Sequence, residues 1–198
     1  MNNFNNTLFL LINASAKPNL FLVWAAKILA DDAIWLVPLA LTAGWLRGSE
    51  ATRKLMLEGA ASGAAGLLVA QLIGLVWQHP RPFMIGLGHP LIPHAADSSF
   101  PSDHLTLLWA VAFSFLAHQR TRLVGLALAL LGLPVAWARI YLGVHFPLDM
   151  VGAAAVAALC AWLCLRHARW LVEPVFQEAS AIYRRLFAPL IRHGWISK

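Results

Sequence analysis

Apolar residues run in five long blocks separated by short polar stretches, at about residues 20–46, 56–77, 104–118, 122–142 and 147–166. A helix needs roughly 17 to 25 predominantly apolar residues to cross the hydrocarbon core of a bilayer, so each block is predicted as a membrane-spanning helix. The third block is short, and reaches spanning length only if it begins before His104 or continues to Gln119. Between the fourth and fifth blocks stands Tyr141-Leu142-Gly143, followed by Phe146-Pro147. Gly143 suits the left-handed stop of one helix and Pro147 the first turn of the next, which leaves residues 143 to 146 as a tight loop.

The two ends of the chain read differently. Leu8 to Ile12 followed by Ala14-Ser15-Ala16 has the outline of a signal-peptide core, but no Lys or Arg precedes it. Residues 4 to 15 are therefore expected as a short interfacial helix within an N-terminal segment 1–19. From Trp170 onward apolar residues interleave with Arg184, Arg185 and Arg192, the pattern of an amphipathic cytoplasmic tail over 170–198 lying on the membrane surface. No internal repeat breaks the chain, so a single all-α, polytopic membrane domain over 1–198 is expected.

Composition agrees. Of the 198 residues 60% are hydrophobic and only 12% charged, too apolar for a soluble domain of this size. The formal charge of +6 resembles a polyanion-binding signal until the positions are considered. Alternating the five spans places Arg47, Arg53, Lys54, Arg120, Arg122, Arg166, Arg169, Arg184, Arg185, Arg192 and Lys198 on one side, 11 of the 15 basic residues. That side is cytoplasmic by the positive-inside rule, and no nucleic-acid partner is implied. Cys160 and Cys164 lie one turn apart in an apolar block with no metal or redox spacing, and are expected to pack.

The opposite face holds few basic residues but five of the eight His. Three polar pieces fall there, each at the end of a predicted span: His79-Pro80-Arg81-Pro82, then Phe100-Pro101-Ser102-Asp103-His104, then Arg139 through His145 to Asp149. Ionisable residues at a membrane boundary are costly unless solvated or paired, so two Arg, two His and an Asp converging there point to a polar pocket for an anion.

These pieces resemble the three-part signature of the type 2 phosphatidic acid phosphatase family, which reads K-x6-R-P, P-S-G-H and S-R-x5-H-x3-D. Pro-Ser-Asp-His, with Arg139-Ile-Tyr-Leu-Gly-Val-His145-Phe-Pro-Leu-Asp149, is most similar to the bacitracin-resistance branch. That branch acts on undecaprenyl diphosphate. The resemblance runs from about Trp77 to Gly152, with Gly74 in the Lys position, Asp103 in place of Gly and Ala138 in place of Ser.

The roles that the resemblance implies fit the residue types. Arg81 and Arg139 are planar forks that clamp the oxygens of a phosphoryl group. Ser102, with the free N–H groups of the third span, would bind phosphate at a helix start; Asp103 belongs to the same phosphate-binding motif, and its side chain is expected to turn away from the anion. His145 is the expected nucleophile and forms a phosphohistidine, Asp149 fixes its tautomer, and His104 protonates the leaving oxygen. His79 is a further candidate for touching phosphate. The spacings of His79, His89, His94 and Asp97 match no strong metal-ligand motif, so these read as surface loop residues. Asp31 and Asp32 interrupt the first apolar block, and Lys27, one turn earlier, is a candidate partner for Asp31.

The reading implied is a bacterial cytoplasmic-membrane enzyme with its site facing outward. It hydrolyses undecaprenyl diphosphate, and no cofactor or metal is expected. Two alternatives stay open: a phosphatase or phosphotransferase for phosphatidylglycerophosphate or lipid A 1-phosphate, and a non-catalytic lipid-binding or transport protein using the same cationic pocket.

Overall fold

The computed structural model describes residues 2–167 and 169–196. Met1, Ala168, Ser197 and Lys198, with the ends of the N-terminal segment and tail that they form, lie outside the described residues. The described residues form nine α-helices: α1 (Asn2–Ile12), α2 (Leu20–Lys27), α3 (Leu36–Arg47), α4 (Glu50–Val76), α5 (Asp103–Leu116), α6 (Arg122–Tyr141), α7 (Pro147–His167), α8 (Arg169–Leu186) and α9 (Ala188–Arg192). The chain is a multi-pass membrane helix bundle. α4, α6 and α7 each have the length and apolar composition to cross a bilayer, and α5 is a shorter apolar helix of 14 residues.

The first apolar block is not one regular helix. Asn19 caps α2 by accepting from the amides of Phe21 and Leu22, but at Ile28–Asp32 the chain widens into a π-helical turn and then tightens into a 3-10 turn at Ala33–Trp35. A π turn re-aims backbone carbonyls away from the regular ladder. Here the Ala30 carbonyl accepts a hydrogen bond from Arg139 at 3.0 Å. Asp31 acts electrostatically on Arg139 from the same turn, whereas no Lys27–Asp31 ion pair is found among the described residues.

α5 is the central helix, packed against α4, α6 and α7. Its contact with α4 runs along Gly59, Gly63 and Gly66, where a methyl group would come within 2.6 Å of the Phe115 ring, 2.7 Å of Leu107 and 3.1 Å of Thr106. Small residues at such spacing let membrane helices approach closely, which is how packing replaces the hydrophobic effect in lipid. On the other side, Trp109 lies over Gly132 of α6 and its indole N–H donates to the Ala129 carbonyl at 3.1 Å. The outer surfaces are apolar, with Val76 90% and Leu123 81% exposed. Such surfaces belong in contact with lipid.

Several polar groups inside the bundle are paired. Glu58 of α4 accepts from His118 at 2.8 Å and from Ser114 at 3.3 Å near the end that carries the basic loops. At that same end, α8 packs its Phe176 and Tyr183 against Trp45, and the Arg53 guanidinium lies 4.5 Å from the Tyr183 ring centre. Lys54 bridges Glu50 and Glu173, 3.0 Å from each. The amphipathic tail thus has one face docked on α3 and α4, in addition to an exposed apolar face at Ile182 and Leu186. Cys160 is buried and Cys164 half-buried.

The α5–α6 crossing offers a test of this packing. A methyl group on Gly125 would meet backbone, 2.6 Å from the Leu116 nitrogen and 2.8 Å from the Ala112 carbonyl oxygen, whereas one on Gly74 meets only the Ser98 side chain at 3.3 Å. Gly125→Ala is expected to cost about 1–3 kcal/mol and Gly74→Ala less, read as thermal midpoints of the purified protein in detergent.

Candidate active site

Four helix ends meet at the end of the bundle opposite the basic loops: the C-termini of α4 and α6 and the N-termini of α5 and α7. His145 sits in the five-residue loop, 142–146, between α6 and α7. Gly143 in that loop has φ +83°, and a methyl group there would lie 2.6 Å from the His89 carbonyl oxygen, so glycine satisfies both the left-handed turn and the close approach of the neighbouring loop. Leu91 N–H donates to the Leu142 carbonyl at 3.0 Å and fastens the two loops together.

α1 holds this assembly from outside. The Asn5 side chain accepts from the Leu148 amide at 3.1 Å, in the first turn of α7. Phe9, fully buried, packs edge-on against Phe146 with ring centres 5.4 Å apart. Asn13 accepts from the His89 amide at 2.7 Å and donates to the carbonyls of His89 and Tyr141 at 3.2 and 3.0 Å.

The His145 ring is 1% exposed, and its partners fix its tautomer. Nδ1 lies 3.0 Å from the Ser99 carbonyl oxygen and 3.2 Å from an Asp149 carboxylate oxygen, both acceptors, so Nδ1 carries the proton. Nε2 lies 3.0 Å from Arg81 Nη1 and 3.5 Å from Arg139 Nη2, both donors only, so Nε2 presents its lone pair. Burial, then Arg139 and Arg81, hold the imidazole well below its ordinary value, so it is neutral at pH 7.

Asp149, in the first turn of α7, reaches back over the loop. Its Oδ2 accepts from the Phe146 amide at 2.8 Å, from the Ser99 hydroxyl and from His145. Arg81 is 5% exposed and spends its donors on Asp97 at 2.8 Å, the Val144 carbonyl at 2.9 Å and the Ser98 carbonyl at 3.2 Å, besides His145. Arg139 is 1% exposed and donates to Ala30 and, at 3.1 Å, to His94 Nε2.

Ser102 is the N-cap residue of α5, but its hydroxyl makes no capping bond. That hydroxyl, Arg139 Nε, Thr106 Oγ1 and His79 Nδ1 are buried with no hydrogen-bond partner. Buried polar atoms left unmatched are costly. Three donors and an imidazole unpartnered at one end of the bundle are groups for which an anion supplies the missing acceptors. His104, one residue into α5, is within electrostatic reach of Arg139, His94 and Arg81. Asp103 turns to Gln71 of α4, whose amide donates to it at 2.8 Å.

The structure therefore brings Arg81, Arg139, Ser102, His104, His145 and Asp149 to one place, with Asp103 facing aside. His79 lies at the edge, its ring packed between Trp77 and Phe146 and lining two cavities of about 400 and 630 Å³. Two residues read from sequence as surface loop belong to the site: His94, hydrogen-bonded to Arg139, and Asp97, paired with Arg81. The reason is the path of residues 86–101, which fold back over the motif loops. His89 stays exposed, as a loop residue. Ser99 was not visible as a site residue, because its contribution is a carbonyl and a hydroxyl that no spacing rule marks. Among the described residues no cluster of three or more His, Cys, Asp or Glu is arranged to hold a metal ion.

Comparison with known proteins places the chain. The Escherichia coli (strain K12) protein YbjG is 38% identical over 202 residues, covering 99% of this chain and 98% of that protein. The undecaprenyl-diphosphatase BcrC of Bacillus subtilis (strain 168) is 36% identical over 188 residues, covering 95% of this chain and 96% of that one. Among solved structures, Aquifex aeolicus LpxE shares the fold with a TM-score of 0.64 at 23% identity, over 83% of this chain and 96% of the other. Residues 56–173 match the family model described as PAP2 superfamily, and with these full-length relatives the chain belongs to the PAP2 superfamily.

Proposed function

We propose that the chain, as one membrane phosphatase domain over 1–198, hydrolyses undecaprenyl diphosphate to undecaprenyl phosphate through a phosphohistidine on His145. One observation carries the reading: the Nε2 lone pair of a neutral, fully buried His145 faces two guanidinium groups, while its Nδ1 proton is held by Ser99 and Asp149. The relatives named for undecaprenyl diphosphate support the choice of lipid.

In the first step Nε2 attacks the terminal phosphorus in line, forming a P–N bond as the bridging P–O bond breaks. Arg81 and Arg139 turn the hydrogens they now direct at His145 Nε2, together with the unpartnered Nε–H of Arg139, to the equatorial oxygens, joined by the unpartnered Ser102 hydroxyl. The Nδ1 proton stays on the ring, and Asp149 stabilises the positive charge that develops there. His104 donates its proton to the departing lipid monophosphate. In the second step water attacks phosphorus, His104 takes a proton from it, the P–N bond breaks and inorganic phosphate leaves. The clamp and the helix ends supply the charge stabilisation, so no metal step is included.

The site lies at the end of the bundle away from Arg120, Arg122 and Arg166, which by the positive-inside rule is the outer face of a bacterial cytoplasmic membrane. The five-span topology of the sequence, with residues 20–46 as the first crossing, belongs to the same proposal.

His145→Ala is expected to lower phosphate release from undecaprenyl diphosphate on the order of 10⁴-fold or more in protein that still unfolds cooperatively, since His145 forms the covalent intermediate. Unchanged turnover would remove His145 as the nucleophile, whereas absence of phosphate release from the wild type would leave the non-catalytic reading. Orthovanadate, a mimic of five-coordinate phosphorus, should compete with substrate, and a chelator should leave activity intact. A panel with phosphatidylglycerophosphate and lipid A 1-phosphate ranks the substrates by kcat/KM.

Stability should also depend on pH with a defined sign. The unfolded chain binds protons on its imidazoles near pH 6.5, while native His145 stays neutral to well below that value. Through this group the unfolded state binds more protons in this window, so the contribution of His145 to stability falls as pH drops from about 7 to 5, and His145→Gln removes that part of the slope of the thermal midpoint.

A further inference from the structure

An arginine clamp works only if something aims it. Of the N–H groups of Arg139, one on Nη1 goes to the Ala30 carbonyl, those on Nη2 face His94 at 3.1 Å and His145 at 3.5 Å, and Nε has no partner. The Ala30 bond holds one corner of the guanidinium; the plane can still swing about it. The second fixed point is His94.

The His94 ring is itself held. Its Nδ1 donates to the Ala95 carbonyl at 3.2 Å, so Nε2 carries the lone pair that Arg139 needs. The ring stands edge-on to His145 at 78°, with ring centres 6.1 Å apart. Its loop is fixed by the Leu91–Leu142 backbone bond and by the Asn13 bridge to His89 and Tyr141. Burial and the nearby Arg81 push His94 below the ordinary imidazole value, and the Asp97 carboxylate 4.0 Å from Nδ1 does not reverse this. A protonated ring would lose the lone pair and repel Arg139.

We propose that His94 is a positioning residue of the phosphate clamp: its Nε2 takes one N–H of Arg139 and so holds the guanidinium turned toward Nε2 of His145. The inference rests on the phosphohistidine reading above. His94 forms no bond to phosphorus and moves no proton in the reaction. It acts through Arg139, leaving the second Nη2 hydrogen and the unpartnered Nε–H for the phosphoryl oxygens.

The test uses the full chain in detergent: wild type, His94→Ala, His94→Gln, Arg139→Lys and the double variant His94→Ala with Arg139→Lys. Each is assayed for phosphate release from undecaprenyl diphosphate and for orthovanadate inhibition, with thermal midpoints measured alongside. His94→Ala should lower kcat/KM about 10- to 100-fold, mostly in kcat, and weaken vanadate in step. His94→Gln, whose side-chain oxygen accepts the same N–H, should return to within about threefold of wild type. Adding His94→Ala to Arg139→Lys should cost less than about threefold more, because the geometry that His94 maintains is already lost. Activity of His94→Ala within about twofold of wild type overturns the proposal, as do losses that multiply in the double variant or a glutamine variant as weak as the alanine one. Absence of phosphate release from the wild type would instead bring down the phosphatase reading, and this proposal with it.

Discussion

Two guanidinium groups are held within hydrogen-bonding distance of one imidazole nitrogen that carries no proton, and the rest of the site is arranged to keep them there. Buried cations repel each other and repel any proton that would settle on His145. The structure offsets this with acceptors whose positions are fixed: the carbonyls of Val144, Ser98 and Ala30, the Asp97 carboxylate and the lone pair of His94. Most of these acceptors are backbone. They come from loop and π-turn segments, where carbonyls are not consumed by a helix ladder. The irregular stretches of an otherwise regular helix bundle are therefore the parts that hold its charges.

That arrangement needs a rigid frame, and a membrane bundle supplies one. α5 lies against α4, α6 and α7 through small residues, so the helix ends that carry Ser102, Arg139 and Asp149 are fixed relative to one another by close packing. Asp149 connects the frame to the chemistry, because a single oxygen accepts from the Phe146 amide, the Ser99 hydroxyl and His145. α1 adds a second constraint. Asn5, Phe9 and Asn13 tie the start of α7, the Phe146 ring and the two site loops to one short helix.

The departures from the general PAP2 pattern have physical correlates. Gly74, in the Lys position, lies against Ser98, whose carbonyl accepts from Arg81 and whose neighbour Asp97 pairs with it. Gly74 also lines, with Asp97 and Ser98, the cavity of about 400 Å³. Ala138, in the Ser position, is fully buried with Ala26, Ala30 and Leu142, where α2 and α6 meet beside the Ala30 carbonyl that Arg139 uses. Asp103 is drawn aside by Gln71 and leaves the helix start to Ser102.

The lengths of the apolar blocks determined the helices, because a bilayer demands spanning runs and a helix is how each run satisfies its own backbone. The boundaries read at Gly143 and Pro147 lie where glycine and proline chemistry puts them, and residue type and spacing in the three polar pieces made Arg81, Ser102, His104, Arg139, His145 and Asp149 visible as candidates. The sequence could not show the π turn at Ile28–Asp32, whose Ala30 carbonyl serves Arg139 of another helix, nor that α8 docks through Phe176 and Tyr183 as well as presenting an apolar face. His94, Asp97 and Ser99 were hidden for a related reason. Their contributions are a lone pair, a carboxylate and a carbonyl delivered by a loop whose path depends on contacts with Asn13 and Leu142, far away in sequence. Local pattern fixes which segments are helical and where they end; which acceptors reach a buried charge is decided only when the folded chain brings distant backbone to it.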